Sequence, residues 1–97
     1  MGTRVLLAED EALIALSLAD LLEAEGYDVA LAPDGADALD EARRMGDTLC
    51  ALVTDLNMPR MGGEDLIRAL RAERPGLPVV VVTGSAPFGG VPRLSAA

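Results

Sequence analysis

The 97-residue sequence contains no lysine, no histidine and no tryptophan, and these absences exclude several kinds of chemistry. Without histidine there is no imidazole metal ligand, no Ser–His or Cys–His catalytic pair and no phosphohistidine carrier. Because Tyr27 and Phe88 are the only aromatic residues, we expect a core of aliphatic side chains. The single cysteine, Cys50, cannot form an internal disulfide, which suits a reducing cytoplasm. Its place in an apolar run predicts a small buried hydrophobe.

Positive charge is also scarce, since eight arginines face sixteen acidic residues and give a net charge of −8. The arginines are spread along the chain and form no basic stripe, so direct binding to nucleic acid is not expected. The sequence shows no signal peptide and no run of membrane-spanning length. We therefore expect a cytoplasmic protein that gathers carboxylates around a cation and contacts protein partners.

Apolar runs typical of strands alternate with amphipathic segments typical of helices. This alternation indicates βαβ units and predicts an α/β fold with a parallel sheet. Asp34 is predicted to cap the second helix. The predicted strands are 4–8, 27–32, 49–54 and 78–82, and the predicted helices are 12–25, 35–45 and 64–73.

The first predicted helix contains more leucine residues than can lie on a single buried face. Helical spacing predicts that Leu13 and Leu16 lie outside the buried stripe and need other cover. The stripe itself is predicted to consist of Ile14, Leu18, Leu21 and Leu22.

After Thr83 the sequence becomes rich in glycine and proline. We therefore predict one domain over residues 1–87 and an irregular tail over 88–97, without a fifth strand or a fifth helix. In that case 78–82 would be an uncovered sheet edge of β-branched residues. Together with Leu13 and Leu16, such an edge predicts that the chain self-associates, for example as a homodimer, or needs a partner. The alternative is that the tail over residues 85–97 folds back over the edge or over the leucines, although it is too short and too rich in glycine and proline to cover both well.

Oxygen-bearing residues close three of the predicted strands: Glu9-Asp10-Glu11, Asp55 and Thr83. Taken singly, the acidic cluster also fits a solvated turn before a helix, Asp55 a cap, and Thr83 an ordinary strand residue. Carboxyl ends of parallel strands share one edge of a sheet, where open α/β folds bind ligands. Because crowded carboxylates cost stability, we expect Mg²⁺ there, with Asp10 and Asp55 as direct ligands and Glu9 acting through water. Asp55 would be a nucleophile toward a phosphoryl group, and the Thr83 hydroxyl would donate to a phosphoryl oxygen.

The motifs resemble three signatures of response-regulator receiver domains in order and spacing, over residues 4–87. They are Ala8-Glu9-Asp10-Glu11, Thr54-Asp55-Leu56-Asn57-Met58-Pro59 followed by Gly63, and Val82-Thr83-Gly84. The resemblance implies a flavodoxin-like, doubly wound sheet with strand order 2-1-3-4-5. It also implies that Asp55 is the phosphoacceptor, that Asp10, Asp55 and the main-chain carbonyl of Asn57 bind Mg²⁺, and that Thr83 is the switch hydroxyl beside small Gly84.

The sequence departs from the receiver pattern near its end. Receivers carry a lysine that contacts the phosphoryl group at the end of a fifth strand, and a fifth helix follows it. This sequence has no lysine. Arg93 is a poor substitute, because its planar fork is not equivalent to an ammonium and its position is too early. We therefore expect only a small conformational response to phosphorylation.

The resemblance implies a phosphoacceptor of a two-component pathway. A histidine kinase or phosphotransfer protein would phosphorylate it, a downstream protein would bind it, and it would not be an enzyme beyond self-phosphotransfer and autodephosphorylation.

The alternative is a degenerate receiver that binds partners or dimerises without phosphorylation; the missing lysine favours it and the intact acidic residues oppose it. A third hypothesis, a phosphatase with an aspartate nucleophile, needs an acid two residues after Asp55, where Asn57 stands.

Overall fold

Parallel strands and the helices that connect them account for most of the chain. The computed structural model describes residues 2–83 and 93–96. Every predicted strand and helix is present, with its ends displaced by no more than one residue. The strands are β1 (Arg4–Ala8), β2 (Asp28–Ala32), β3 (Leu49–Asp55), β4 (Val79–Thr83) and β5 (Arg93–Ala96). The helices are α1 (Ala12–Ala24), α2 (Gly35–Met45) and α3 (Gly63–Glu73).

The strand order is β2-β1-β3-β4-β5, and the first four strands are parallel. This arrangement, with helices on both faces, confirms the flavodoxin-like fold. The register places Ala8 beside Thr54, and Asp55 beside Val82. As a result β1, β3 and β4 end at the same edge of the sheet, where the polar residues follow them.

The fifth strand was not predicted. β5 runs antiparallel to β4, with Thr83 beside Arg93 and Val80 beside Ala96. The prediction that 78–82 forms an uncovered edge is therefore wrong, and so is the prediction that the tail is wholly irregular. The segment Arg-Leu-Ser-Ala carries no β-branched or aromatic residue, so its strand state comes from pairing with β4 rather than from local preference. Among the described residues, no helix follows β4.

The sheet divides the core into two parts, because neighbouring strand residues point to opposite faces. On one face, α2 and α3 cover Leu6 and Leu52 with Ala38, Ala42, Met45, Leu66 and Leu70. On the other face, α1 covers Leu7, Val53 and Val82 with Leu18 and Ala19. The Asp34 cap of α2 is confirmed, since its Oδ1 accepts a 2.8 Å hydrogen bond from the backbone N–H of Asp37.

The leucines of α1 are only partly placed as predicted. Leu13 and Leu16 are exposed, as expected, but Leu21 is 66% exposed, so its predicted burial is wrong. Small Ala15 and Ala19 are buried beside Leu18, which rotates the packed stripe of the helix away from Leu21. Within the described parts of the chain, no helix is long and apolar enough to cross a membrane.

Cys50 is exposed, so its predicted burial is also wrong. The cause is a shift in register between β1 and β3. Arg4 pairs with Leu49 but Val5 pairs with Ala51, so Cys50 is the extra residue of a β-bulge. A bulged residue has no cross-strand partner, and here it lies at the end of the sheet opposite the acidic residues.

Candidate functional site

Three acidic side chains meet at the carboxyl edge of the sheet. Glu9 and Asp10 follow β1, and Asp55 ends β3. Each offers one carboxylate oxygen, and these oxygens lie within 4.8 Å of one another. The register explains this proximity, because Glu9 and Asp55 directly follow the paired residues Ala8 and Thr54. The structure thus brings together the three carboxylates that the sequence predicts to lie at this edge.

Glu9 is the most buried of the three, at 3% exposure. Its Oε2 accepts a 3.0 Å hydrogen bond from the backbone N–H of Glu11, whereas its Oε1 is buried without a hydrogen-bond partner among the described atoms. Burial raises the pKa of Glu9 to about 7, and the negative charges of Asp55 and Asp10 raise it as well, against the opposing effect of the Glu11 N–H. The ionised form of Glu9 therefore needs a positive charge close by.

Asp55 is held at the start of the loop that joins β3 to α3. Its Oδ1 accepts a 3.2 Å hydrogen bond from the backbone N–H of Asn57. The backbone N–H of Gly63 donates to the carbonyl of Leu56 at 3.0 Å, which brings the far end of the loop back to its start. A Cβ at Gly63 would collide with the carbonyl oxygen of Asp55, so the close return requires glycine. Asn57 is exposed, and its backbone lies beside the Asp55 carboxylate.

Thr83 is the last residue of β4 and follows Val82, the partner of Asp55 across the sheet. Its backbone therefore ends at the same edge as the acidic residues. The predicted roles of the Thr83 hydroxyl, of Gly84 and of the Arg93 side chain lie outside the part of the chain whose atoms are described.

Two interactions beside the site were not predicted. Arg60, in the loop after Asp55, extends to the start of α2 and pairs with Asp34 and Asp37 at 3.2 and 3.7 Å. The backbone N–H of Gly35 donates to the carbonyl of Met61 at 3.1 Å. The sequence holds a weak signal for these contacts, since an arginine follows Pro59 in a loop whose partner helix begins with acidic residues.

The family model and the related sequences that match this chain indicate the family of response regulators. The sequence model of the response regulator receiver domain matches residues 5–88. The probable transcriptional regulatory protein TcrX of Mycobacterium tuberculosis is 38% identical over 79 residues, covering 81% of this chain and 33% of that protein. The DNA-binding response regulator MtrA of the same species is 40% identical over 83 residues, covering 86% of this chain and 35% of that protein. The chain thus spans about a third of the length of these curated relatives.

Solved structures agree with the sequences. The receiver domain of the hybrid histidine kinase CckA superposes with a TM-score of 0.75 at 36% identity, covering 80% of this chain and 72% of that one. A response regulator receiver protein from Pseudomonas putida gives a TM-score of 0.76 at 31% identity, covering 89% of this chain and 71% of that one. Given the fold, the acidic edge and these matches, the chain belongs to the family of response-regulator receiver domains.

Proposed function

We propose that the chain is a phosphoacceptor, which takes a phosphoryl group on Asp55 with the help of Mg²⁺ and then acts through protein contacts. The observation that carries this proposal is the meeting of Glu9, Asp10 and Asp55, whose oxygens lie within 4.8 Å of one another. Three carboxylates at this distance repel one another, and burial of Glu9 adds a desolvation cost. A bound cation offsets both costs.

The residues at this edge fit a hard divalent cation. All the donors are oxygens, and the Oε1 of Glu9 is a buried acceptor without a partner among the described atoms. Asp10 and Asp55 would hold Mg²⁺ directly, together with the main-chain carbonyl of Asn57, and Glu9 would act through a bound water. When bound, the ion neutralises part of the charge on a transferring phosphoryl group.

In the proposed reaction a carboxylate oxygen of Asp55 attacks the phosphorus of a phosphohistidine on the donor protein. An O–P bond forms, the N–P bond breaks, and the imidazole nitrogen leaves with the electron pair and recovers a proton from solvent. Because the Asn57 N–H already binds Oδ1, the carboxylate is oriented, and we assign the attack to Oδ2. The Thr83 hydroxyl would donate to a phosphoryl oxygen in the product.

The proposed donor is a histidine kinase or a phosphotransfer protein, and the proposed recipient of the signal is a downstream protein. The protein would act in the cytoplasm and would not be an enzyme beyond self-phosphotransfer and autodephosphorylation. MtrA is a DNA-binding regulator, but the chain corresponds to about a third of it. With a net charge of −8 and no lysine, we propose no direct contact of this segment with nucleic acid.

A degenerate receiver that binds its partner without phosphorylation is the second candidate. It is favoured to the extent that residues 1–97 contain no lysine that could contact the phosphoryl group, as the resemblance to receivers implies one should. On this hypothesis the acidic edge would still bind a cation, but Asp55 would not be modified.

Incubation with acetyl phosphate and Mg²⁺, followed by intact-mass measurement, distinguishes the two candidates. The proposal expects one added phosphoryl group on the wild type and none on Asp55→Asn. Asp65→Asn, which removes an exposed carboxylate from α3, is the matched control and should be modified like the wild type. An unmodified wild type would favour the degenerate receiver.

A further inference from the structure

The loop between Asp55 and α3 contains a strained turn. The backbone N–H of Met61 donates to the carbonyl of Pro59 at 2.7 Å, which encloses Arg60 in a three-residue γ-turn. Arg60 has a φ of 67°, and among the described residues it is the one non-glycine residue with a positive φ. A γ-turn of this hand is rare, because the Cβ of its central residue is crowded by the backbone. Other contacts must therefore stabilise it.

The side chain of Arg60 supplies such contacts. Its Nη1 lies 3.2 Å from Oδ2 of Asp34 and 3.7 Å from Oδ1 of Asp37, both at the start of α2. The Asp34 side chain is 8% exposed, so its charge is largely removed from water and the guanidinium partly replaces that water. Asp34 is itself fixed by its cap on α2. Arg60 thus ties a strained turn to a rigid helix.

The turn is coupled to the acidic edge by a short stretch of chain. Asn57, three residues before Arg60, donates its backbone N–H to Asp55 Oδ1. On the other side of the turn, Gly35 of α2 donates to the carbonyl of Met61. If the turn opens, the backbone of Asn57 is free to leave the Asp55 carboxylate.

We propose that Arg60 is a positioning residue for the cation site. Its ion pairs with Asp34 and Asp37 hold the γ-turn closed, and the closed turn keeps the Asn57 backbone in place beside Asp55. This inference rests on the proposed function, since it assigns Arg60 a role in the affinity of the acidic edge for Mg²⁺.

Simple electrostatics predicts an effect of the opposite sign. Removing a positive charge close to a cation site strengthens binding of the cation through the long-range field. Loss of Arg60 would therefore tighten Mg²⁺ binding if charge alone mattered. Positioning predicts weaker binding, so the direction of the change identifies the mechanism.

The test is calorimetric titration of Mg²⁺ into four variants and the wild type at about pH 8, above the pKa of Glu9. Arg60→Ala removes the ion pairs and keeps the backbone strain, whereas Arg60→Gly removes both. We expect about tenfold weaker binding for Arg60→Ala, at the lower end of the effect of residues that orient metal ligands from outside. The loss for Arg60→Gly should be smaller, because glycine adopts a positive φ without strain and the turn then needs less support. Arg60→Lys retains the charge and should bind within about twofold of the wild type.

Arg68→Ala is the matched control, because it also removes one guanidinium, from an exposed pair with Asp65 on α3. It should leave affinity unchanged or slightly tighter. A second readout is amide hydrogen exchange in metal-free protein, where Met61 should exchange faster relative to the amides of β1 and β3 in Arg60→Ala but not in Arg68→Ala. A merely structural role would instead raise the exchange of Met61 and of the strand amides alike.

The outcomes separate the two proposals. A wild type that does not bind Mg²⁺ overturns the proposed function and this inference with it. A wild type that binds, together with Arg60→Ala and Arg60→Gly of equal or tighter affinity, overturns the role of Arg60 alone. Weaker binding in Arg60→Ala that Arg60→Gly does not at least partly restore also overturns it, because the ion pairs would then act on something other than the strained turn.

Discussion

Glu9 and Asp55 each directly follow one member of a cross-strand pair, because Ala8 of β1 lies beside Thr54 of β3. The two carboxylates therefore converge as a direct result of the register, together with Asp10. If the register slipped by one residue, the side chains would point to the other face of the sheet and the site would be lost. The fold and the proposed chemistry thus depend on the same pairing.

Metal affinity should depend on which carboxylate is removed. Asp10→Ala removes a proposed direct ligand, so we expect at least about tenfold weaker Mg²⁺ binding. Glu11→Ala removes the same charge from an exposed residue outside the three-carboxylate cluster and should change affinity by less than about twofold. Calorimetric titration measures both, and equal losses would mean that only total charge matters.

The pH dependence of stability follows from Glu9, whose pKa is about 7 in the folded, metal-free protein. The ordinary pKa of this carboxyl group is 4.5. Between pH 4.5 and about 7, Glu9 therefore keeps its proton in the folded state but has lost it in the unfolded state. The contribution of Glu9 to stability is therefore complete below about pH 4.5 and is lost as pH rises through about 7. Denaturant unfolding of metal-free protein at both ends of this range should show the loss.

Glu9→Gln is the control for that experiment, because it cannot titrate. Subtracting its unfolding free energies from those of the wild type isolates the contribution of Glu9, which we expect to be about 3 kcal/mol at most. A difference that does not vary with pH would contradict the role of burial. Mg²⁺ should also bind the wild type more weakly below pH 7, since proton and cation compete for the site.

Gly63 should tolerate no side chain. Gly63→Ala places a Cβ against the carbonyl oxygen of Asp55, so the loop must move. We expect a loss of about 2–4 kcal/mol of unfolding free energy and slower modification by acetyl phosphate. Gly76→Ala is the matched control, because its Cβ would meet no atom within 4 Å. Equal stability of the two variants in denaturant unfolding would refute the packing argument.

Self-association remains a prediction, although its basis has changed. β5 covers the edge of β4, so the association expected through that edge loses its support. The leucines of α1 remain, with Leu13 81% and Leu16 55% exposed. Replacing both with serine should abolish any dimer seen by light scattering at micromolar concentration, with the melting temperature maintained. A monomeric wild type would show that these leucines serve another purpose.

The sequence correctly predicted the features that depend on hydrophobic periodicity and on the residues at the ends of strands. The apolar runs gave the four parallel strands, and the polar residues at their ends gave the acidic edge. The burial of Leu21 was mispredicted because helical spacing alone did not show that Ala15 and Ala19 would set the packed face. Cys50 depended on a β-bulge, which is a property of strand pairing rather than of one strand.

β5 and the Arg60 turn could not be predicted for a related reason. β5 has little local preference for a strand, and it forms because β4 offers a partner. The positive φ of Arg60 contradicts the preference of the residue itself, and its stabilising contacts lie on α2, far away in sequence. Both features are fixed by contacts between distant segments.

Locating the phosphoryl group on the chain decides whether Asp55 is the phosphoacceptor. After reaction with acetyl phosphate and Mg²⁺, borohydride reduces an aspartyl phosphate to homoserine, and fragment mass spectrometry then reads the modified position. If Asp55 is the phosphoacceptor, we expect homoserine at position 55 in the wild type, none when Mg²⁺ is withheld, and none in Asp55→Asn. Homoserine at another acidic residue, or no modification of the wild type, would disprove the proposed role of Asp55.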